Sequence, residues 1–265
     1  MRTMGFGRED FREQAQSVIP QTDAPKAAVR SLVRVRFEDS DRELTYFNDA
    51  FDLKDGDRVF VSGKLAGKAG IVTSVTTKFR IRLSDYERVI ALAQTPIRGT
   101  YRPVADKMLS YDDCALSPEA FRTWILPPEE PADGPCGEEI YGEGYEIPLD
   151  DPSDADGVDD AVFERAVEYS FSGKVGYVSV KNGVGRAFVR GREWYELEFR
   201  LRDNVVEEAY CSCPYPGLCK HLLATACLLS LFIGAGDLDP SRDFVLVEAG
   251  RFFDMIRHND QAVTL

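Results

Sequence analysis

The chain has 265 residues, 44% of them hydrophobic, which is enough for two small domains with buried cores. No apolar run approaches the length needed to cross a bilayer, and the N-terminal segment carries acidic residues where a signal peptide would be continuously apolar. These features argue against a membrane protein. We expect a cytoplasmic protein, because a reducing compartment keeps cysteine thiols free.

The formal net charge of -13 is concentrated in one part of the chain. Residues 91–162 contain 17 acidic and 4 basic residues, whereas residues 1–90 and 163–233 have net charges of +2 and +1. The overall acidity therefore does not exclude contact between the other segments and nucleic acid.

Residues 1–95 predict a helix followed by a small β-barrel. The helix is expected over residues 8–18 and ends before Pro20. Apolar Val33, Val35 and Phe37 alternate with arginines, which is typical of a half-buried strand. Further short strands, separated by Gly and Asp-Gly turns, are predicted at residues 44–47, 58–62, 69–75, 79–83 and 88–93.

One pattern in this segment resembles a known class of barrel. Gly56-Asp57-x-Val59-x-Val61, followed by Gly70-x-Val72, is similar to the KOW and other SH3-like small β-barrels. That resemblance implies a module that binds nucleic acid or protein tails.

Residues 96–162 predict an acidic connector, rich in Pro and Gly, with one short helix. Ser117 is a favourable N-cap and Pro118 suits the first helical position, so the helix is predicted to run to about Leu126. Residues 129–160 are then dense in Asp, Glu, Gly and Pro and poor in core-forming side chains. The connector is either a solvated tether or an acidic segment that docks on a basic face of the chain or of a partner.

The third segment, residues 163–265, contains the most specific motif, Cys211-Ser-Cys213-Pro-Tyr-Pro-Gly-Leu-Cys219-Lys-His221. Three thiolates and one imidazole complete the tetrahedral coordination of Zn²⁺ and leave no open position for water, as in structural zinc sites. One-residue spacers let neighbouring ligands converge, and the intervening prolines and glycine turn the chain so that the two pairs face each other. The motif predicts a structural Zn²⁺ site with Cys211, Cys213, Cys219 and His221 as ligands.

Disulfides are the alternative use of these cysteines. They would leave His221 without a role, and two cysteines separated by one residue rarely satisfy disulfide geometry. Cys227 lies in the following apolar run, where a thiol is expected to behave as a small buried hydrophobe. Cys114 and Cys136 have no Cys or His neighbours and are expected to be incidental.

The ligand pattern, Cys-x-Cys and then Cys-x-His before an apolar helix, resembles the SWIM zinc-finger family. The resemblance extends back through strand-like segments at residues 173–178, 187–191 and 194–199, and it covers residues 163–233. It implies an α+β domain of short antiparallel strands and one helix, from Lys220 to Ile233 and ended by Gly234. We expect the strands and the C-terminal segment to cover this helix, the latter with Phe244, Val245, Phe252, Phe253 and Ile256.

The resemblance also implies partners. SWIM proteins are DNA-binding or protein-interaction modules that often work with helicase-like ATPases, so DNA and a separately encoded ATPase are the implied partners. Glutamates on the predicted strands make an ordinary mixed-charge face the alternative to a DNA-binding face. The cations available for nucleic acid are Arg186, Arg190, Arg192, Arg200, Arg202 and Lys220.

Catalytic motifs are not found in the sequence. The chain has neither a phosphate-binding loop ending in Gly-Lys-Ser/Thr nor a serine in a nucleophile-elbow setting, so we do not expect an enzyme. The first hypothesis is a non-catalytic accessory factor that binds DNA or a DNA-processing ATPase. The alternatives are a protein-interaction adaptor with purely structural zinc and no nucleic-acid binding, and a redox or zinc sensor with labile thiolates.

Overall fold

The computed structural model describes residues 30–37, 40–66, 68–79, 86–93, 97–127 and 144–258. Within these residues the chain forms 13 β-strands in two sheets and four α-helices, and all strand ladders are antiparallel. This confirms the predicted α+β class. The helix predicted over residues 8–18 and most of the strand predicted at residues 79–83 lie outside the described residues.

The first sheet comes from the N-terminal segment and has the strand order β2-β1-β4-β3-β5. Its two outer strands approach each other, since the Phe47 N–H donates to the Glu87 carbonyl at 2.8 Å and Phe47 pairs with Arg88 in a parallel bridge. The sheet therefore curls on itself as the predicted barrel requires. Its strands are β1 (Ser31–Phe37), β2 (Ser40–Asn48), β3 (Arg58–Val61), β4 (Ala69–Thr76) and β5 (Val89–Leu92).

The second sheet has eight strands in the order β6-β7-β13-β9-β10-β11-β12-β8. Its strands are β6 (Arg102–Val104), β7 (Lys107–Ser110), β8 (Tyr145–Pro148), β9 (Val175–Lys181), β10 (Val184–Arg190), β11 (Trp194–Arg202), β12 (Val205–Cys211) and β13 (Phe244–Glu248). The helices are α1 (Pro118–Ile125), α2 (Asp160–Phe171), α3 (Lys220–Gly234) and α4 (Ala249–His258).

Helices cover both faces of this sheet. Successive residues of a strand face opposite sides. Ala187 and Val189 accordingly join the core formed with α2 and α3, whereas Phe188 between them joins the core formed with α1 and α4. The central strands are therefore buried on both sides and position the loop after β12 against α3.

The connector prediction is wrong for residues 97–127 and 144–162. This part of the chain supplies β6, β7, β8, α1 and the start of α2, and it buries large side chains such as Tyr101, Phe121 and Trp124. The acidic composition concealed these elements because their partners are distant in sequence: β7 pairs with β13. The predicted helix after Ser117 is confirmed, with the Ser117 hydroxyl accepting from the Ala120 N–H.

The cover of α3 also differs from the prediction. Phe244 faces the α3 side of the sheet as expected, but Phe252 is buried in the core on the opposite face, against Tyr101. The helix α2 takes the place of the C-terminal segment, since it packs along α3. Among the described residues, no helix combines the length and apolar character needed to cross a membrane.

The barrel packs against the second sheet through α1. Arg58 is buried, its guanidinium lies 4.8 Å from the centroid of the Trp124 ring, and its Nε donates to the Trp124 carbonyl at 3.0 Å. Phe60 and Ala91 of the barrel belong to the same hydrophobic cluster as Trp124. The aromatic core between the two sheets thus joins the N-terminal barrel to the rest of the protein.

Replacement of Phe121 by Ala tests whether α1 is part of this core. Its ring stacks on Tyr177 with centroids 4.9 Å apart and lies near Phe188 and Trp194, so we expect Phe121→Ala to lower the free energy of unfolding by about 3–5 kcal/mol. Urea unfolding followed by tryptophan fluorescence measures this, because both tryptophans of the chain lie in the cluster. Phe171→Ala, at an exposed position, should change the value by no more than about 0.5 kcal/mol. Equal effects of the two substitutions would contradict a docked α1.

Candidate metal centre

The four predicted ligands lie where the end of β12 meets the start of α3. Cys211 is the last residue of β12, Cys219 is the N-cap residue of α3, and His221 lies in the first turn of that helix. Ser212, between the first two cysteines, is tied to β11: its N–H donates to the Glu196 carbonyl and its hydroxyl accepts from the Glu196 N–H, both at 2.9 Å. Strand and helix thus hold the two ends of the ligand loop in place.

The donor atoms converge as a metal ion requires. One atom from each of Cys211, Cys213, Cys219 and His221 lies within 4.8 Å of every other, and the Cys211 Sγ is 3.9 Å from the His221 Nδ1. Tetrahedral Zn²⁺ with these ligands separates the donors by about 3.5–3.8 Å, so a small contraction would complete the site. All three cysteines are free thiols, and the disulfide alternative is therefore not supported.

The thiols influence one another's ionisation. The Cys211 thiol donates to the Cys219 sulfur, which lowers the pKa of Cys219, and the neighbouring His221 acts in the same direction. The same hydrogen bond, together with burial, raises the pKa of Cys211, and burial raises the pKa of Cys213. One thiolate is thus favoured, and a divalent cation is needed for all three to be ionised at such short range.

Ring packing on one side and the thiols on the other orient the imidazole. The His221 ring lies 4.5 Å from the Tyr195 ring, centroid to centroid. Its Nδ1 faces Cys211, and its Nε2 is buried and has no hydrogen-bond partner among the described residues. A Cβ added to Gly191 would lie 2.9 Å from this Nε2 and 2.8 Å from a carbon of the Tyr195 ring. The missing side chain of Gly191 is therefore what allows His221 to reach the cluster.

Sequence reasoning did not identify Gly191 as a site residue. It precedes the turn into β11 and is 30 positions from His221 in the chain, so an ordinary turn glycine is the interpretation that sequence favours. Two of the remaining cysteines lie within the described residues, and Cys227 is half-buried where the sequence predicts a buried thiol. Cys227 on α3 is not one of the clustered ligands, and burial raises its pKa to about 11. Cys114 is exposed, and Cys136 lies outside the described residues.

The strand cations predicted for nucleic-acid contact are brought close to glutamates. Arg186 lies between Glu119 and Glu198, with N–O distances of 2.9 and 3.0 Å. The outward-facing arginines of β11 each pair with a glutamate of β12: Arg200 with Glu208 at 2.7 Å and Arg202 with Glu207 at 3.6 Å. The sheet surface therefore carries matched charges and not a basic stripe.

The other three predicted cations are scattered around the site. Arg190 is half-buried at the end of β10, and Arg192 is exposed in the following turn. The Lys220 Nζ lies 4.4 Å from the centroid of the Tyr169 ring, at the start of α3. These residues do not continue the row formed by Arg200 and Arg202 on β11.

Comparison with known families agrees with this geometry. The family model described as SWIM zinc finger matches residues 194–226, which comprise β11, β12, the ligand loop and the first half of α3. The predicted SWIM resemblance is thus confirmed for this segment, which is shorter than the 163–233 range expected from the sequence. No curated protein and no solved structure matches the chain. The segment defines a metal-binding zinc-finger class of site, and all four ligands fall within it.

Substitution of one ligand tests the metal site. The wild-type chain should carry one metal ion, and Cys213→Ser should remove it, because a neutral hydroxyl is a far weaker ligand for a soft site than a thiolate. Elemental analysis of the purified proteins measures the ratio of zinc to chain. Cys227→Ser is the matched control and should retain the metal. Loss of metal in both variants, or in neither, would contradict the assignment of ligands.

Substitution of Gly191 tests the orientation of the imidazole. Gly191→Ala places a methyl group against the His221 ring, so we expect about 10- to 100-fold weaker zinc binding. Competition with a chromophoric chelator measures this affinity. Gly234→Ala, at the end of α3, is the control, because no atom lies within 4 Å of the added Cβ. Unchanged affinity in Gly191→Ala would show that the ring does not depend on this contact.

Proposed function

We propose that this chain is a zinc-stabilised, non-catalytic protein whose zinc-finger region binds another protein. The donor set supports zinc, since three thiolates and one imidazole are a common tetrahedral combination for this ion. The same set supports a structural role, because four protein ligands leave no coordination position for a substrate or a reactive water.

The metal would hold β12 and α3 in a fixed relation. Structural zinc contributes about 10–16 kcal/mol to the folding of small zinc-finger peptides at neutral pH, which is comparable to or larger than the net stability of a typical domain. α3 lies at the centre of its core, with Leu223, Ala226 and Leu229 completely inaccessible to solvent. The ligands are thus placed to fix a helix around which the rest of this core packs.

The observation that carries the choice of partner is the pairing of the strand arginines with glutamates. DNA binding draws its affinity from cations that neutralise phosphates, and a cation already paired with a carboxylate must first lose that partner. Arg186, Arg200 and Arg202 are all paired in this way. An interdigitated surface of this kind is typical of an ordinary solvated or protein-contacting face.

The proposal therefore favours the adaptor over the DNA-binding accessory factor. A separately encoded ATPase is one protein that such an adaptor would bind. A reducing, cytoplasmic location belongs to the same proposal, because the site needs thiols that are not oxidised to disulfides.

A DNA titration separates the two functions. We expect zinc-loaded wild-type protein to show no saturable binding to labelled duplex DNA at low salt, because its strand arginines are neutralised. Fluorescence anisotropy, repeated over a range of salt concentrations, measures this. Saturable binding that weakens steeply as salt rises, and weakens further in the Arg200→Ala and Arg202→Ala variants, would overturn the adaptor in favour of the DNA-binding factor.

A further inference from the structure

A groove of about 310 Å³ lies on the face of the second sheet that α1 covers, next to the start of that helix. Its floor is formed by side chains of β9 and β10. Tyr177, Ser179 and Lys181 alternate along β9, and the register sets Arg186 and Val184 of β10 opposite Ser179 and Lys181. Tyr177 belongs to the core beneath α1, so this row of side chains faces away from α3. The groove is therefore separate from the metal centre.

Hydrogen bonds hold the walls of the groove in place. In the wall before α1, the Leu116 N–H donates to the Tyr101 hydroxyl at 2.8 Å, and the Leu116 carbonyl accepts from the Tyr177 hydroxyl at 2.7 Å. In the other wall, the Asp243 carboxylate accepts from the Asn182 N–H at 2.8 Å, which ties the start of β13 to the turn between β9 and β10. A preformed groove loses little conformational entropy on binding, so more of its contact energy contributes to affinity.

The apolar part of the groove remains open to solvent. Val184 is 46% exposed, and Val245, Ala115 and Pro118 are half-buried along the groove. Pockets for small molecules usually bury most of the ligand surface. An apolar floor that stays accessible, inside a rim of charged side chains, is instead the usual anatomy of a protein-binding surface. The shape therefore favours a segment of a partner protein over a small ligand.

The rim of the groove has an excess of negative charge. It carries four carboxylates and two cations, which are Asp112, Asp113, Glu119, Asp243, Lys181 and Arg186. Arg186 is already held by Glu119 and by Glu198. Asp112 and Asp243 each accept from a backbone N–H, which leaves the charge of the carboxylate in place. Asp113 has no hydrogen-bond or ion-pair partner among the described residues. Three carboxylates thus face one remaining cation, Lys181, and a positively charged occupant is favoured.

We propose that this groove docks a segment of a partner protein in which an aliphatic side chain covers Val184 and an adjacent lysine or arginine faces Asp113 and Asp243. The apolar floor supplies the contact area, and the sign of the rim selects the charge of the segment. The inference goes beyond the proposed function, which places partner binding in the zinc-finger region. The groove is a second surface, because none of its lining residues belongs to residues 194–226.

Selection from a phage library of random heptapeptides, with the zinc-loaded full chain as the target, tests the proposal. We expect the enriched peptides to combine an aliphatic residue with a neighbouring Lys or Arg, because this combination matches the floor and the rim. The enriched peptides are then synthesised with a fluorescein label, and fluorescence anisotropy measures their affinities. Failure to enrich any peptide, or enrichment of acidic peptides, would overturn the groove as a site for basic segments.

Matched charge variants separate the groove from general attraction to an acidic chain. The double variant Asp113→Asn, Asp243→Asn should weaken peptide binding by about 2- to 30-fold, as expected for the loss of two partly exposed charge pairs. The double variant Glu164→Gln, Glu168→Gln removes the same charge from exposed positions of α2, on the opposite face of the sheet, and should bind like wild type. Equal affinities of the two double variants would overturn the proposal.

A charge placed on the floor tests the apolar contact. Val184→Lys should abolish binding of the enriched peptides, whereas Leu231→Lys, at an exposed position of α3, should bind like wild type. Circular dichroism and zinc content are measured for every variant, so that misfolding is not mistaken for loss of the groove. Unchanged affinity in Val184→Lys would overturn the groove and leave the proposed function standing. Saturable, salt-dependent binding in the DNA titration would overturn that function and not the groove.

Discussion

The convergence of four ligands between β12 and α3 is the constraint on which one half of the molecule depends. The chain leaves the sheet at Cys211 and enters a helix at Cys219, and the short loop between them contains two prolines and a glycine. Three thiols at this distance repel one another once ionised, so the arrangement is favourable only around a cation. A bound cation would therefore balance the charge of the three thiolates and, through the same ligands, fix the orientation of α3.

The metal ligands lie on the face of the second sheet that α3 covers. β9 and β10 carry small and branched side chains toward α3, and large aromatic side chains toward α1 and the barrel. The second face has no metal ligand among the described residues, and its stability comes from aromatic burial and from the buried Arg58 against Trp124. Both cores share β9 and β10, so the metal loop and the barrel interface are built on opposite faces of the same central strands.

Features that depend on a few neighbouring residues were accessible from sequence. Short stretches of sequence predict the ligand set, the cap of α1 at Ser117 and the bounds of α3. In each case, residues close together in the chain carry the whole signal. Features that depend on pairing between residues far apart in the chain were not accessible from the sequence. β7 pairs with β13 more than a hundred positions later, and Gly191 meets His221 only after the sheet has formed. Composition alone could not show that the acidic segment contributes strands, since a strand buried by distant partners needs few apolar residues of its own.

The same distinction explains why charge in the sequence was a poor guide to the surface. Alternating residues of β11 are exposed, and Arg200 and Arg202 are among them, but alternation in the sequence does not specify which residues lie across from them on the next strand. The strand register specifies the opposing residues. Arg186 pairs directly with Glu198, and the arginines of β11 form ion pairs with the glutamates of β12. Once these charges cancel, the sheet surface has little long-range attraction for any partner.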